Sequence, residues 1–149
     1  MKDPGPDHEL APGIVTATAE RVQREADAIV LHLPLTATTR YFIDAKFLAA
    51  CERKPVLVNV SRGGLVDNEA LVQALDRRLV SGAALDVVEG EPRPSARIIG
   101  RPDVIATPHI AFLSDASLRE LRRRSSEDVV RVLRGEKPLN PCNASHVSR

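Results

Sequence analysis

The sequence predicts an α/β fold: a mostly parallel sheet with helices on both faces. Four short runs carry the prediction. AIVLHL (28–33), VLVNV (56–60), GAALDVV (82–88) and DVIATP (103–108) are apolar almost throughout, the pattern of strands covered on both faces. Between several of them lie stretches of helical periodicity that open on a capping residue. The connections are short, which suits strand–helix–strand units laid side by side.

Taken in order, residues 1–13 are rich in Pro and Gly and read as a loop. Ile14 and Val15 form a candidate short strand. Thr16 or Thr18 caps a helix running to about Ala26, with Val22 and Ala26 on one face. Pro34 ends the first long strand. Asp44 caps a short helix carrying Phe47 and Leu48, and Pro55 stops it. Asp67 caps the helix NEALVQALDRR, where Leu71 and Leu75 stack one turn apart. Ser114 caps the longest helix, which runs to about Arg134 with an apolar stripe of Leu118, Leu121, Val129, Val132 and Leu133. Gly135 is its stop. An α/β core over 14–134 is therefore expected, followed by a tail over 135–149.

Composition excludes several classes. Lys+Arg is 21 against 20 Asp+Glu, a net charge of +1, which gives no pull toward a polyanion. The arginines of the last helix (Arg119, Arg122, Arg123, Arg124, Arg131, Arg134) are offset by Asp115, Glu120, Glu127 and Asp128. They read as a solvated face, not a nucleic-acid surface. No apolar run approaches the ~20 residues of a membrane helix. The polar stretch Met1 to Pro12 lacks the apolar core of a signal peptide. Cys51 and Cys142 make neither a disulfide framework nor a zinc signature, so a reducing, cytoplasmic setting and no metal are expected.

In a parallel sheet, ligands sit beyond the carboxyl ends of the strands. That rule gathers four polar groups on one rim. Arg62 follows the second strand and precedes two glycines, which let backbone approach a ligand closely. Its planar guanidinium suits a carboxylate; the plainer alternative is a surface arginine in a turn. Asp86 and Glu91 follow the third strand. Asp86 ends an apolar run, where a buried carboxylate needs a donor unless it merely caps a turn. Glu91 would orient an imidazole and stabilise its protonated form, or else be an exposed loop acid. His109 follows the fourth strand. It is a candidate proton shuttle, or a buried, satisfied histidine.

The ordered segments LHLPLTATTR, LVNVSRGGLVDNEALVQAL, GAALDVVEGEP and TPHIA, with the closing RGEKPLNPCN, resemble the D-isomer-specific 2-hydroxyacid dehydrogenase family over about residues 26–140. The resemblance implies a partial Rossmann-like sheet and an NAD cofactor. It implies Arg62, Glu91 and His109 as the catalytic set: Arg62 on the substrate carboxylate, His109 as acid/base, Glu91 as its support. Asp86 would meet the nicotinamide carboxamide, and Asp3 the adenosine ribose hydroxyls. Pro34 and Ser61, with Arg62 and His109, complete the implied cofactor-binding set. The implied reaction reduces a small 2-keto acid to the D-2-hydroxy acid by hydride transfer from the nicotinamide.

Two departures qualify that expectation. The first strand and the GxGxxG phosphate turn, about 20 residues before the ribose acid in such folds, are missing, as is most of a substrate domain. The strand at 28–33 is then left with an open edge. A longer form is expected to be a homodimer, whereas this chain alone is expected to be inactive and to aggregate or pair by its edge. PHIAFLSDASLREL resembles the C-terminal-binding-protein co-repressors and the D-lactate dehydrogenases more than the phosphoglycerate enzymes. A non-catalytic, NADH-binding interaction module is thus the alternative, and an inactive fragment a further one.

Overall fold

A computed structural model describes residues 12–139 and residue 141. Asp3, Cys142 and most of the expected leading loop and closing tail lie outside the described residues. Four parallel strands form one sheet: β1 (Ala28–Leu31), β2 (Val56–Asn59), β3 (Gly82–Leu85) and β4 (Val104–Ala106), in the order β1-β2-β3-β4. Helices α1 (Ala19–Glu25), α2 (Ala45–Ala49), α3 (Asn68–Asp76) and α4 (Ala96–Ile99) precede β1, β2, β3 and β4 in turn. This is the expected Rossmann-like, parallel α/β arrangement.

The predicted caps explain where three helices start. Thr18, not Thr16, accepts the Arg21 N–H and opens α1. Asp44 accepts the Phe47 N–H at 2.7 Å. Asp67 accepts from Glu69 and Ala70. Each supplies an acceptor to a first-turn N–H that has no intrahelical partner. Phe47 and Leu48 of α2 and Leu71 and Leu75 of α3 are buried, facing Ile29, Leu31, Leu57, Leu85 and Val104 in one cluster. Alternate strand residues carry that cluster. The row on the opposite face, Val30, Val58, Ala84 and Ile105, is in register across all four strands. Its outer members Val30 and Ile105 are exposed.

Two expectations are corrected, and one element is added. Ile14 and Val15 form no strand; both are exposed and have no strand beside them. The strands are shorter than the apolar runs, because His32, Leu33 and Val60 have already turned into rim loops. The single-turn helix α4 was not anticipated. Ser95 caps it and Ile98 anchors it with no exposure, but four residues show no periodicity to read.

The chain divides into two compact units at His109/Ile110. In the second, α5 (Asp115–Leu133) opens on a capping box between Ser114 and Ser117. Arg123 bridges Glu120 and Glu127, and Arg124 also pairs with Glu120, so two of the six arginines are ion-paired with acids of the same helix. Gly135, at φ +78, closes the helix. Its N–H bonds the Val132 carbonyl and that of Glu136 bonds Arg131, the double bond of a Schellman stop.

Candidate active site

The parallel ladder extends past the strand ends and holds the rim loops in line. The Asp86 N–H donates to the Asn59 carbonyl at 2.9 Å and Thr107 N–H to the Leu85 carbonyl at 3.0 Å. Asn59, fully buried at the end of β2, shapes the loop that follows. Its amide donates to the Arg62 carbonyl at 2.9 Å and its Oδ1 accepts the Ser61 N–H at 3.1 Å. The Ser61 hydroxyl donates to the Leu33 carbonyl, tying this loop to the end of β1. Pro34, beside it, accepts the Thr39 hydroxyl at 2.6 Å. The Arg62 side chain is exposed; its guanidinium donates to the Ser61 carbonyl at 2.7 Å and forms no ion pair among the described residues.

Gly63 then runs against the β3 loop. A Cβ there would lie 2.4 Å from the Val88 carbonyl carbon and 2.5 Å from the Glu89 nitrogen, so only glycine allows this approach. A second clasp joins the same loop to the turn after β1. The Tyr41 hydroxyl donates to Glu89 Oε1 at 2.7 Å, Arg40 donates to the same oxygen at 2.8 Å, and the Arg40 guanidinium lies 4.6 Å from the Tyr41 ring centroid. The bond to Glu89 pushes the Tyr41 hydroxyl above the ordinary tyrosine range.

The β3 and β4 loops meet directly. Asp86 is buried, and its Oδ1 accepts the Thr107 hydroxyl at 2.6 Å, the donor that burial demands. Glu91 uses both oxygens. Oε1 accepts the Val88 N–H at 2.7 Å, which fixes the carboxylate, and Oε2 lies 3.1 Å from His109 Nδ1. His109 sits at φ +54, the left-handed region that costs a non-glycine residue energy. Its N–H bonds to the Asp86 carbonyl at 2.9 Å and the Thr107 carbonyl at 3.0 Å hold it there. Both side chains stay partly open, at 47% for His109 and 38% for Glu91. A fixed acid aimed at a solvent-open imidazole, on strained backbone, is an arrangement suited to proton transfer.

Beside the pair opens a cavity of about 630 Å³. Val88, Pro92 and Pro94 of the β3 loop, Ile99 of α4, and Ala106 and Pro108 of the β4 end wall it. Among the described residues no cluster could hold a metal ion, and no helix is long and apolar enough to cross a membrane.

Residues 2–111 match the family described as D-isomer specific 2-hydroxyacid dehydrogenase, NAD binding domain. The chain belongs to this family. Among its curated members, D-3-phosphoglycerate dehydrogenase of Bacillus subtilis is 34% identical over 88% of this chain and 25% of its own length. D-lactate dehydrogenase of Treponema pallidum is 31% identical over 95% of this chain and 46% of its own. The solved D-lactate dehydrogenase with NAD+ from Lactobacillus jensenii superposes with a TM-score of 0.73 at 32% identity, covering 89% of this chain and 43% of that one. The chain thus spans less than half the length of these dehydrogenases.

The structure brings together Asp86, Glu91 and His109, and packs the loop of Ser61 and Arg62 against theirs. Pro34 lies at the adjoining strand end. Sequence reasoning missed Asn59, Thr107, Gly63 as a packing residue, and the Arg40–Tyr41–Glu89 clasp. Asn59 had a signal, a lone amide inside an apolar strand. The clasp had none, since Arg40 and Glu89 are 49 positions apart.

Proposed function

We propose that this rim is the nicotinamide-side half of the active site of an NAD-dependent D-2-hydroxyacid dehydrogenase, reducing a small 2-keto acid. The Glu91–His109 bond carries the reading. With Nδ1 engaged by Glu91, the other ring nitrogen, Nε2, is the one that gives a proton to the carbonyl oxygen of the substrate. The carboxylate of Glu91 stabilises the imidazolium that donates it. Arg62, with no ion pair of its own among the described residues, takes the substrate carboxylate in a planar fork and orients the carbonyl toward His109.

The residues present suit the nicotinamide end of the cofactor. A buried carboxylate held by a threonine (Asp86), a hydroxyl (Ser61) and the backbone of Pro34 follow successive strands, where parallel sheets bind such ligands. Asp3 is assigned to the adenosine ribose hydroxyls. The sequence holds no GxGxxG turn, so no residue is assigned to the phosphates. When bound, the reduced nicotinamide supplies the hydride. The buried free thiol of Cys51 suits a reducing cytoplasm.

The test is steady-state NADH oxidation with 2-keto acids. The chain alone is expected to show none. A chimera carrying residues 2–111 in place of the matching segment of the Treponema pallidum D-lactate dehydrogenase is expected to turn over. His109→Ala in that chimera should lower kcat by about 10²–10⁴-fold, and Arg62→Lys should chiefly raise KM. A chimera as fast without His109 as with it refutes the assignment.

A further inference from the structure

We propose that Glu89 is a positioning residue of this site: held by Arg40 and Tyr41 from the turn after β1, it sets the segment Val88–Glu91 so that the Glu91 carboxylate meets His109. The proposal rests on the reading of Glu91 and His109 as a proton-transfer pair. Its first support is how Glu91 is aimed. Oε1 accepts the Val88 N–H at 2.7 Å, and Oε2 lies 3.1 Å from His109 Nδ1. The carboxylate is thus anchored three residues back along its own chain, and its direction follows the backbone of residues 88–91. Burial does not fix it, since the Glu91 and His109 side chains are both open to solvent. The segment does not fix itself either. Gly90, at φ +91, has no Cβ to narrow its choice of conformation.

Glu89 supplies what is missing, because each of its parts is tied to a different element. Its Oε1 accepts the Tyr41 hydroxyl at 2.7 Å and the Arg40 guanidinium at 2.8 Å. Its carbonyl accepts the side-chain amide of Asn68, the first residue of α3, at 3.3 Å. Its nitrogen stands where a Cβ on Gly63 would come within 2.5 Å. The clasp is itself seated before it reaches Glu89. The Tyr41 N–H donates to the Gly64 carbonyl at 2.9 Å and the Ile43 N–H to the Leu65 carbonyl at 3.0 Å, which binds the turn after β1 to the β2 loop. Arg40 also donates to the Tyr41 hydroxyl at 3.0 Å, so one carboxylate oxygen receives two donors that brace each other. The second support is the exposure of the pair. Arg40 and Glu89 keep 54% and 31% of their side-chain surface open, and ion pairs so open contribute little to stability. Two donors converging on the residue two places before Glu91 act on its aim instead. A shift of about 1 Å would carry the Glu91–His109 contact beyond hydrogen-bond reach, and misplacement of that size costs about 10²-fold in rate.

The experiment uses the chain itself and reads the His109 ring by long-range proton–nitrogen NMR at a pH where the ring is neutral. The ratio of the Nδ1–H to the Nε2–H form reports whether Glu91 is in place. A loss of overall stability that leaves Glu91 unmoved does not change it. A hydrogen bond to a charged group is worth about tenfold or more in such a ratio, so Glu89→Ala, which misaligns that bond, should lower the ratio at least about threefold. Glu89→Gln keeps an oxygen for Tyr41 and Arg40 and should hold the ratio near the parent's. Tyr41→Phe keeps the ring, removes only the hydroxyl, and should lower the ratio by less. Arg53→Ala breaks an open ion pair with Asp27 at the opposite end of the strands and should leave the ratio unchanged. A parent ratio in Glu89→Ala, an equal fall in Glu89→Gln, or a fall of the same size in Arg53→Ala overturns the proposal. If Glu89→Ala does not fold, a parent ratio in Tyr41→Phe overturns it. Glu91→Ala judges the underlying reading separately. If it shifts the ring while Glu89→Ala does not, the positioning role alone fails; if Glu91→Ala leaves the ring unmoved, the proton-transfer reading fails with it.

Discussion

Asn59→Leu isolates the residue that shapes the Arg62 loop. Leucine keeps the branch of asparagine at Cγ, with bulkier methyl groups in a fully buried space that can only add to the cost, and it removes both side-chain hydrogen bonds, to the Arg62 carbonyl at 2.9 Å and from the Ser61 N–H at 3.1 Å. Each such bond is worth about 0.5–1.5 kcal/mol net, so the loss is about 1–3 kcal/mol. It sits at the upper end if the two backbone groups find no water. At a urea m-value of about 1–1.5 kcal/mol/M for a domain of this size, the unfolding midpoint should fall by about 1–2 M. Amide exchange at Ser61 should accelerate, since its N–H loses its acceptor, while exchange at Leu57, inside β2, should follow only the global change. Asn59→Asp should cost more, because it keeps one acceptor but buries a charge beside the Arg62 carbonyl. A midpoint within about 0.2 M of the parent for Asn59→Leu would refute the role of Asn59 as the brace of this loop.

Other consequences are equally open to measurement. Gly63→Ala should destabilise strongly or displace the β3 loop, because its Cβ would fall 2.4 Å from backbone; the readout is thermal unfolding, and a Tm equal to the parent's contradicts the packing. The outer edge of β1 has no strand partner among the described residues, and Val30 is exposed, so the chain should self-associate with concentration in light scattering and Val30→Lys should shift it toward monomer. Acid should weaken α5. Hydrogen bonds from Arg123 and then Arg124 hold the Glu120 carboxyl down to about 2 from an ordinary 4.5. A folded-state value below the unfolded one contributes stability above about pH 4.5, and that contribution fades as pH falls toward 2. Far-UV circular dichroism should therefore lose helical signal in that window, and Glu120→Gln should lessen the dependence.

Much of the fold was legible because caps and apolar runs are local. Thr18, Asp44, Asp67 and Ser114 each sit where their side chains satisfy a helix N–H, and a few neighbouring residues suffice to see it. The rim was legible too, because strand ends in a parallel sheet all point one way, so Arg62, Asp86, Glu91 and His109 could be placed without knowing a single contact. What escaped was non-local or too short. Ile98 anchors α4 by burial in the shared core cluster, which a run of four residues does not reveal. Ile14 and Val15 look like strand residues, but pairing needs a neighbour that no local pattern supplies. The left-handed backbone of His109 and the clasp of Glu89 by Arg40 and Tyr41 depend on loops meeting from three strands.

The catalytic assignment turns on which nitrogen of His109 carries the proton. A long-range proton–nitrogen NMR correlation on the chain, at a pH where the ring is neutral, reads this directly. The Glu91 bond to Nδ1 predicts the Nδ1–H form in the parent and a shift toward the Nε2–H form in Glu91→Ala. An Nε2–H ring in the parent, or a tautomer indifferent to Glu91, would contradict the assignment of His109 and Glu91 as a proton-transfer pair.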